Sequence, residues 1–235
     1  MTSNYSAHLS GGTLHPLRCL IGISIGNPAT AGQKLLATIA LANRKFQSMN
    51  FLVADTLNRH HLAHDQPIGE AAAELLARQA GDLWLNENQT ARAAVAIPTD
   101  FSRWDDWRHR PITQDYAKFL GDLFHRNDLF KQAVLKDVEE FGRRRAQQGQ
   151  PIGVSRLLGC YRYLLEELAV DLAIAETDGP IAYLYPGKEL FCYTALRMLK
   201  DDGIDTPIDR FAHFKLSFHR KTTNDNQRPT AQKQA

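Results

Sequence analysis

The stretch Leu17-Arg18-Cys19-Leu20-Ile21-Gly22-Ile23-Ser24-Ile25-Gly26-Asn27 decides the fold. Leu17 to Ser24 is a short continuous apolar run that stops at a Gly and Asn turn, as a strand buried on both faces does. Thr30 to Phe46 follows with Leu35, Leu36, Ile39, Ala40, Asn43 and Phe46 at helical spacing, and Asn50 to Thr56 (NFLVADT) supplies a second buried strand. Strand, tight turn, helix and strand make a parallel crossover that is complete by residue 56. Asp55 falls at the carboxyl end of the second strand, where α/β folds place ligand contacts.

The same alternation continues outward. Ile68 to Trp84 reads as a helix, Ala93 to Ile97 (AAVAI) as a strand stopped by Pro98, and Ile112 to about Ala146 as one helical stretch. Val154 to Ala175 is a second long amphipathic helix, Ile181 to Tyr185 a strand, Leu190 to Leu199 a helix and Phe211 to Phe218 a last strand. This pattern predicts an α/β fold: an open, mostly parallel sheet with helices on both faces, in a single domain over residues 17–220. Residues 1–16, rich in Ser, Gly and His, lack the basic start and apolar run of a signal peptide and are expected to be a disordered lead. Residues 221–235 are expected to be a flexible tail.

Composition narrows the function. Of 235 residues, 43% are hydrophobic and 23% charged, which excludes collagen, wholesale disorder and a small disulfide scaffold. The 28 Lys and Arg nearly balance 26 Asp and Glu, so no overall field draws the chain onto nucleic acid and any basic surface must be local. No apolar run approaches the ~20 residues that cross a bilayer. Cys19, Cys160 and Cys192 sit far apart among apolar neighbours, the pattern of buried thiols in a reducing, cytoplasmic setting. A dinucleotide fingerprint and a Walker A sequence are both absent, so nucleotide-cofactor chemistry loses support.

Gly22-Ile23-Ser24-Ile25-Gly26 matches G-x-S-x-G, in which small flanking residues lift a serine hydroxyl into a cleft beside helix amides that can hold an oxyanion. An α/β-hydrolase esterase would set several strands before this turn, whereas here it closes the first; its base would be His213 or His219. The alternative is a tight strand-to-helix turn with no chemistry. Tyr163 and Glu167 lie four apart on one helical face, where phenol and carboxylate can hold an ammonium group or shuttle a proton. The bland reading packs Tyr163 in the core and leaves Glu167 solvated. His60, His61 and His64 could set two imidazoles one turn apart, but no companion ligand spacing completes a zinc site, and no metal is expected. Trp104 and Trp107 amid Arg103, Arg108 and Arg110 could stack on RNA or cover an amphipathic surface segment.

Leu20 to Asn27, the strand ending Asp55-Thr56, Tyr163 with Glu167, and Phe191-Cys192-Tyr193 after Tyr185-Pro186 together resemble the cyclodipeptide synthases, in order and spacing from about Leu17 to about Leu199. The resemblance implies a Rossmann-like fold related to the catalytic domains of class I tyrosyl- and tryptophanyl-tRNA synthetases, without their ATP motifs. It implies formation of a diketopiperazine from two aminoacyl-tRNAs by a ping-pong route, through aminoacyl and then dipeptidyl esters on the serine matching Ser24. No cofactor is needed, because the ester arrives activated. The tyrosine and glutamate matching Tyr163 and Glu167 would hold the ammonium, the tyrosine matching Tyr193 would assist ring closure, and Asn27 and Tyr116 match further active-site positions. Leu20, Gly22, Val170 and Phe191 would line the first aminoacyl pocket. Two departures stand out. Thr194 follows Tyr193 where one subfamily carries histidine and the other proline. Relatives often carry an arginine-rich helix, whereas Ile68 to Trp84 holds only Arg78, which moves the expected tRNA contacts to Arg143, Arg144, Arg145, Arg103, Arg108 and Arg110. A monomer acting on aminoacyl-tRNAs is the expected state. A non-catalytic tRNA-binding module on the same shell is the remaining alternative.

Overall fold

The computed structural model describes residues 3–11, 17–65, 68–147, 149 and 152–221. Six strands, β1 (Tyr5–Ser10), β2 (Arg18–Ser24), β3 (Ser48–Ala54), β4 (Thr99–Arg103), β5 (Ile181–Tyr185) and β6 (Phe211–Arg220), form one sheet in the order β1-β6-β5-β2-β3-β4. All neighbours are parallel except the edge pair β1 and β6. Around them lie α1 (Gly32–Lys45), α2 (Arg59–Asp65), α3 (Glu70–Glu87), α4 (Gln89–Arg92), α5 (Trp104–Arg108), α6 (Pro111–Arg126), α7 (Asp128–Gln147), α8 (Val154–Asp178) and α9 (Phe191–Met198).

Alternation along the strands sorts the core into two layers. Cys19, Ile21 and Ile23 of β2, with Ala182 and Leu184 of β5, pack on α1. Leu20, with Ile181 and Tyr183, packs on α8 and its neighbours. Side chains two apart share a face, so Gly22 and Ser24 look toward α8 with Leu20. The chain runs from β2 outward through β3 to β4, then returns to place β5 on the other side of β2. The crevice between the carboxyl ends of β2 and β5 is therefore the point where strand order reverses, the place such Rossmann-like sheets reserve for ligands.

Several expectations change. Residues 5–10 are not part of a disordered lead: they pair antiparallel with β6, from Tyr5 opposite Arg220 to Ser10 opposite Lys215. An edge strand needs only one buried face, which Ala7, helped by Tyr5 and Leu9, provides. The other residues of the expected lead and tail, 1–2, 12–16 and 222–235, lie outside the described residues. Ala93 to Ile97 is no strand; it leaves α4 in turns, and the strand is polar Thr99–Arg103 beyond Pro98, whose solvent-facing edge position asks for little apolar content. The long helix breaks at Asn127, whose side-chain oxygen accepts from the Phe130 amide at 2.9 Å and so starts α7.

Candidate active site

β2 ends in a turn in which the Asn27 amide donates to the Ser24 carbonyl at 3.1 Å. Gly26 takes φ +82°, the left-handed position such a turn requires of its third residue. Asn27 starts the 3₁₀ turn Pro28–Thr30 by accepting from the Ala29 amide at 3.0 Å. Gly22 serves a different purpose from the one the motif suggests. The Tyr183 ring lies so close that a Cβ at residue 22 would overlap it. The two glycines therefore seat a phenol and close a turn, with Ser24 between them on the α8 face.

Ser24, Asn27, Tyr183, Tyr185 and, on α8, Cys160, Tyr163, Leu164 and Glu167 line a cavity of about 850 Å³ whose other walls come from α2, α7 and the start of α9. The side chains of Ser24 and Asn27 lie near the Tyr185 hydroxyl and act to lower its pKa. Burial, then the nearby Glu167 charge, raises the Tyr185 phenol, so it stays protonated beside the serine. His61 of α2 is stacked between Tyr163 (ring centroids 4.6 Å, planes 5° apart) and Phe141 (5.4 Å, 18°). Burial, and then Arg156, lowers its pKa to about 3, so the imidazole is neutral.

Below the cavity floor, Asp171 continues the Tyr163 and Glu167 face of α8 by one more turn and accepts a short hydrogen bond from the Tyr193 hydroxyl. Burial, then the charge of Glu167, holds Asp171 well above the ordinary carboxyl range. Glu167 itself is raised to about 7, by burial first and then by Asp137. Asp137 of α7 accepts from the amides of Phe191 (3.0 Å) and Cys192 (2.9 Å), capping α9 from a neighbouring helix. A carboxyl near 7 that faces a cavity can both hold a cation and take a proton from it.

The expected residues divide. Ser24, Asn27, Tyr163, Glu167 and Phe191 line one cavity, and Arg143, Arg144 and Arg145 stand at its α7 wall. Tyr193 also borders it, 3% exposed and with its hydroxyl donating to Asp171, while Tyr185 lines the same cavity with Ser24. Thr194, the residue after Tyr193, is exposed and is not among the cavity's lining residues; the residue that follows Tyr185 is Pro186. Tyr116 faces a second cleft with Glu176, near the other end of α8. Leu20 and Val170 are sealed in the core beneath Tyr183 and Tyr193 and do not line the cavity.

Two expected tRNA contacts are consumed by ion pairs: Arg103 by Asp55 and, at 2.6 Å, Asp82, and Arg108 by Glu74 at 2.9 Å and Asp105 at 3.1 Å. Asp55 is accordingly a structural anion, not a ligand contact. Trp104 and Trp107 are buried, their ring N–H groups donating to Glu166 and Ser102, so neither offers a face to RNA. His60 bonds Glu166 and His64 bonds Ser155. Among the described residues no group of His, Cys, Asp or Glu is placed to hold a metal ion.

The esterase alternative fails on register. His213 pairs with Tyr183 and Tyr183 with Leu20, four residues short of Ser24. That is about 13 Å along the strand and about 10 Å across two strand spacings, beyond the span of the two side chains. His219 lies on the outer β1–β6 edge against His8.

Sequence reading passed over Asp171 and Asp137, and named Tyr185 and His61 without placing them beside Ser24 and Tyr163. Tyr185 carried the same mark as Ser24, a polar group closing a buried strand. Asp171 stood out as a lone carboxylate within the apolar run Leu168 to Ala175.

The chain belongs to the cyclodipeptide synthase family, whose model matches residues 16–176. Members of that family are cyclodipeptide synthases that use aminoacyl-tRNAs. Among solved structures, a cyclodipeptide synthase from Fluoribacter dumoffii superposes with a TM-score of 0.78 at 22% identity, covering 92% of this chain and 99% of that one. A Mycobacterium tuberculosis protein, described as demonstrating that cyclodipeptide synthetases are related to type I tRNA synthetases, gives 0.70 at 11% identity over 92% and 94%. A cyclodipeptide synthase from Candidatus Glomeribacter gigasporarum, bound to Phe-tRNAPhe, gives 0.60 at 15% identity over 94% and 93%. At these identities the likeness is one of fold. No curated protein matched the sequence.

Proposed function

We propose that this chain joins two aminoacyl groups, each delivered by tRNA, into a cyclic dipeptide by successive acyl transfers on Ser24. The observation that carries this reading is the meeting of Ser24, Tyr185 and Asn27 with Tyr163 and Glu167 around one cavity at the strand-order reversal.

In the first transfer the Ser24 hydroxyl oxygen attacks the ester carbonyl of an aminoacyl-tRNA. The bond from that carbonyl to the ribose oxygen breaks, and the hydroxyl proton passes to the departing ribose, with the vicinal ribose hydroxyl as relay. Glu167 and Tyr163 hold the ammonium of the bound aminoacyl group. Atom balance then decides which amine attacks. Only attack by the enzyme-bound amine on the carbonyl of the second aminoacyl-tRNA, with that carbonyl's bond to the ribose oxygen breaking and the ribose leaving protonated, leaves a dipeptide on Ser24; the reverse order would move it to tRNA. That amine must first lose a proton, which a carboxylate with pKa about 7 accepts near neutrality. In the closing step the terminal amine attacks the Ser24 ester, the carbonyl–Oγ bond breaks, and the protonated Tyr185 phenol supplies the proton to the leaving oxygen and is restored by the proton the amine gives up. This assigns to Tyr185 the part that the resemblance gave to Tyr193. The pair Tyr185-Pro186 fits the subfamily whose late tyrosine precedes proline, while Asn27 is the mark of the other.

For tRNA, the cavity-side arginines Arg143, Arg144 and Arg145 are the candidates left once Arg103 and Arg108 are discounted along with Arg110, which lies over the Trp107 ring at 3.7 Å and donates to the Asp106 carbonyl at 2.8 Å. The Arg145 Nε is buried and without a hydrogen-bond partner, as a donor awaiting a phosphate would be. Contacts this few make docking modest and salt-sensitive.

Incubation with a full set of charged tRNAs, followed by mass spectrometry for diketopiperazines, tests the reading. Wild-type protein yields a cyclic dipeptide and, when trapped early, an aminoacyl adduct on Ser24. The variant Ser24→Ala loses product by on the order of a thousandfold. Product at the wild-type rate from that variant would refute the covalent route, and no product from wild type would return the chain to a binding role.

A further inference from the structure

Toward the opposite end of α8 from Tyr163 lies a second cleft of about 370 Å³, between α6, the last turns of α8 and the segment ahead of β6. Ile112, Tyr116 and Phe119, three and four apart on α6, supply its apolar wall; Asp115, Glu176 and Asp205 supply its charge. Glu176 stands nine residues beyond Glu167, about 13 Å further along the helix and on its reverse side. The cleft shares no lining residue with the serine cavity.

Thr206 points to a missing ligand. It lines the cleft, is 7% exposed, and its hydroxyl is buried with no hydrogen-bond partner. An orphaned buried hydroxyl is costly unless something else completes it. The carboxylates are only partly neutralised as well. Arg210 pairs with Glu176 at 3.6 Å and Lys200, which pairs with Asp209 at 2.6 Å, also feels Asp205, but among the described residues no ion pair engages Asp115 or Asp205 directly. Burial, then Glu176, accordingly raises the Tyr116 phenol. A compact metal ion does not answer this arrangement, because among the described residues no cluster is close enough to hold one. Separated ammonium groups do, with the methylenes between them lying on Ile112 and the ring faces of Tyr116 and Phe119.

We infer that this cleft is a second binding site, for a linear aliphatic diamine whose ammonium groups meet the spread carboxylates and the Thr206 hydroxyl. The site is independent of the acyl-transfer reading. Calorimetric titration of the full chain with 1,4-diaminobutane tests it, with butylamine and magnesium chloride as controls. The diamine binds saturably with one site per chain, butylamine at least about tenfold more weakly because it carries half the charge, and magnesium not at all. Replacing both rim residues, Asp115→Asn with Asp205→Asn, changes only exposed side chains and weakens diamine binding about tenfold. Thr206→Val weakens it several-fold while raising the melting temperature of the unliganded protein, since the orphaned oxygen is gone. Binding is unchanged in Ser24→Ala. Absence of saturable binding, equal affinity for butylamine, or diamine affinity untouched by the paired Asp variants overturns the inference.

Discussion

Glu166 and Glu167 are neighbours on α8 with opposite surroundings. Glu166 accepts from Arg59 and Trp104 at 2.8 Å and from His60 at 2.9 Å, which fastens α2 and α5 to α8. Burial alone would raise its pKa, but the hydrogen bonds from His60 and Arg59 win and hold it down to about 2. Glu167, turned about 100° round the helix, faces the cavity with no cation beside it and is raised to about 7. One carboxylate is completed by the protein itself. The other is raised and faces the cavity, and on the proposed reading a substrate ammonium would complete it.

The largest effect expected to sharpen this contrast is loss of turnover in Glu167→Gln, by about a hundredfold to a thousandfold, with the melting temperature held or raised. Steady-state product formation beside a thermal melt checks both halves; loss of folding instead would make Glu167 structural. Glu166→Gln should do the reverse, destabilising by about 3 kcal/mol by leaving Arg59 buried without its counter-charge, while kcat per folded molecule changes little. Denaturant titration reads the first and active-site-normalised rates the second. Next in size, Tyr185→Phe should lower turnover by about tenfold to a hundredfold. Tyr193→Phe should instead reduce stability, because Asp171 loses its buried donor.

The two carboxylates also predict opposite pH responses. Glu166, held below the ordinary 4.5, contributes stability that is present above pH 4.5 and is lost as pH falls toward 2. Glu167, held above it, contributes stability that is full below pH 4.5 and is lost as pH rises to about 7. Turnover should therefore fall on the acid side with an apparent pKa near 7 that Glu167→Gln abolishes, while acid unfolding moves with Glu166→Gln. Smallest of all, Arg145→Ala should raise KM for aminoacyl-tRNA several-fold and flatten its salt dependence, with kcat preserved; Arg103→Ala should change stability instead.

Much of this was legible in the chain. The apolar run ending at Ser24 and the crossover to Asp55 sufficed for the central strands of the sheet, and the four-residue step from Tyr163 to Glu167 sufficed to put both on the helix face that shares a cavity with Ser24. What failed did so for physical reasons. β1 and β4 are edge strands with one wet face, so their composition is polar and their pairing comes from distant sequence. Arg103 and Arg108 look free in sequence because Asp55, Asp82 and Glu74 reach them only through the fold. Position along the chain points to Tyr193, and only the packing of α9 on α8 shows that its hydroxyl donates to Asp171.

Asp137 joins two walls of the cavity with one side chain, since it rides on α7 yet terminates α9 at Phe191 and Cys192. Arg143 to Arg145 lie two turns further along that same rod. On the proposed reading, a nucleic acid held by those guanidinium groups would bear on the same helix whose Asp137 fixes the start of α9.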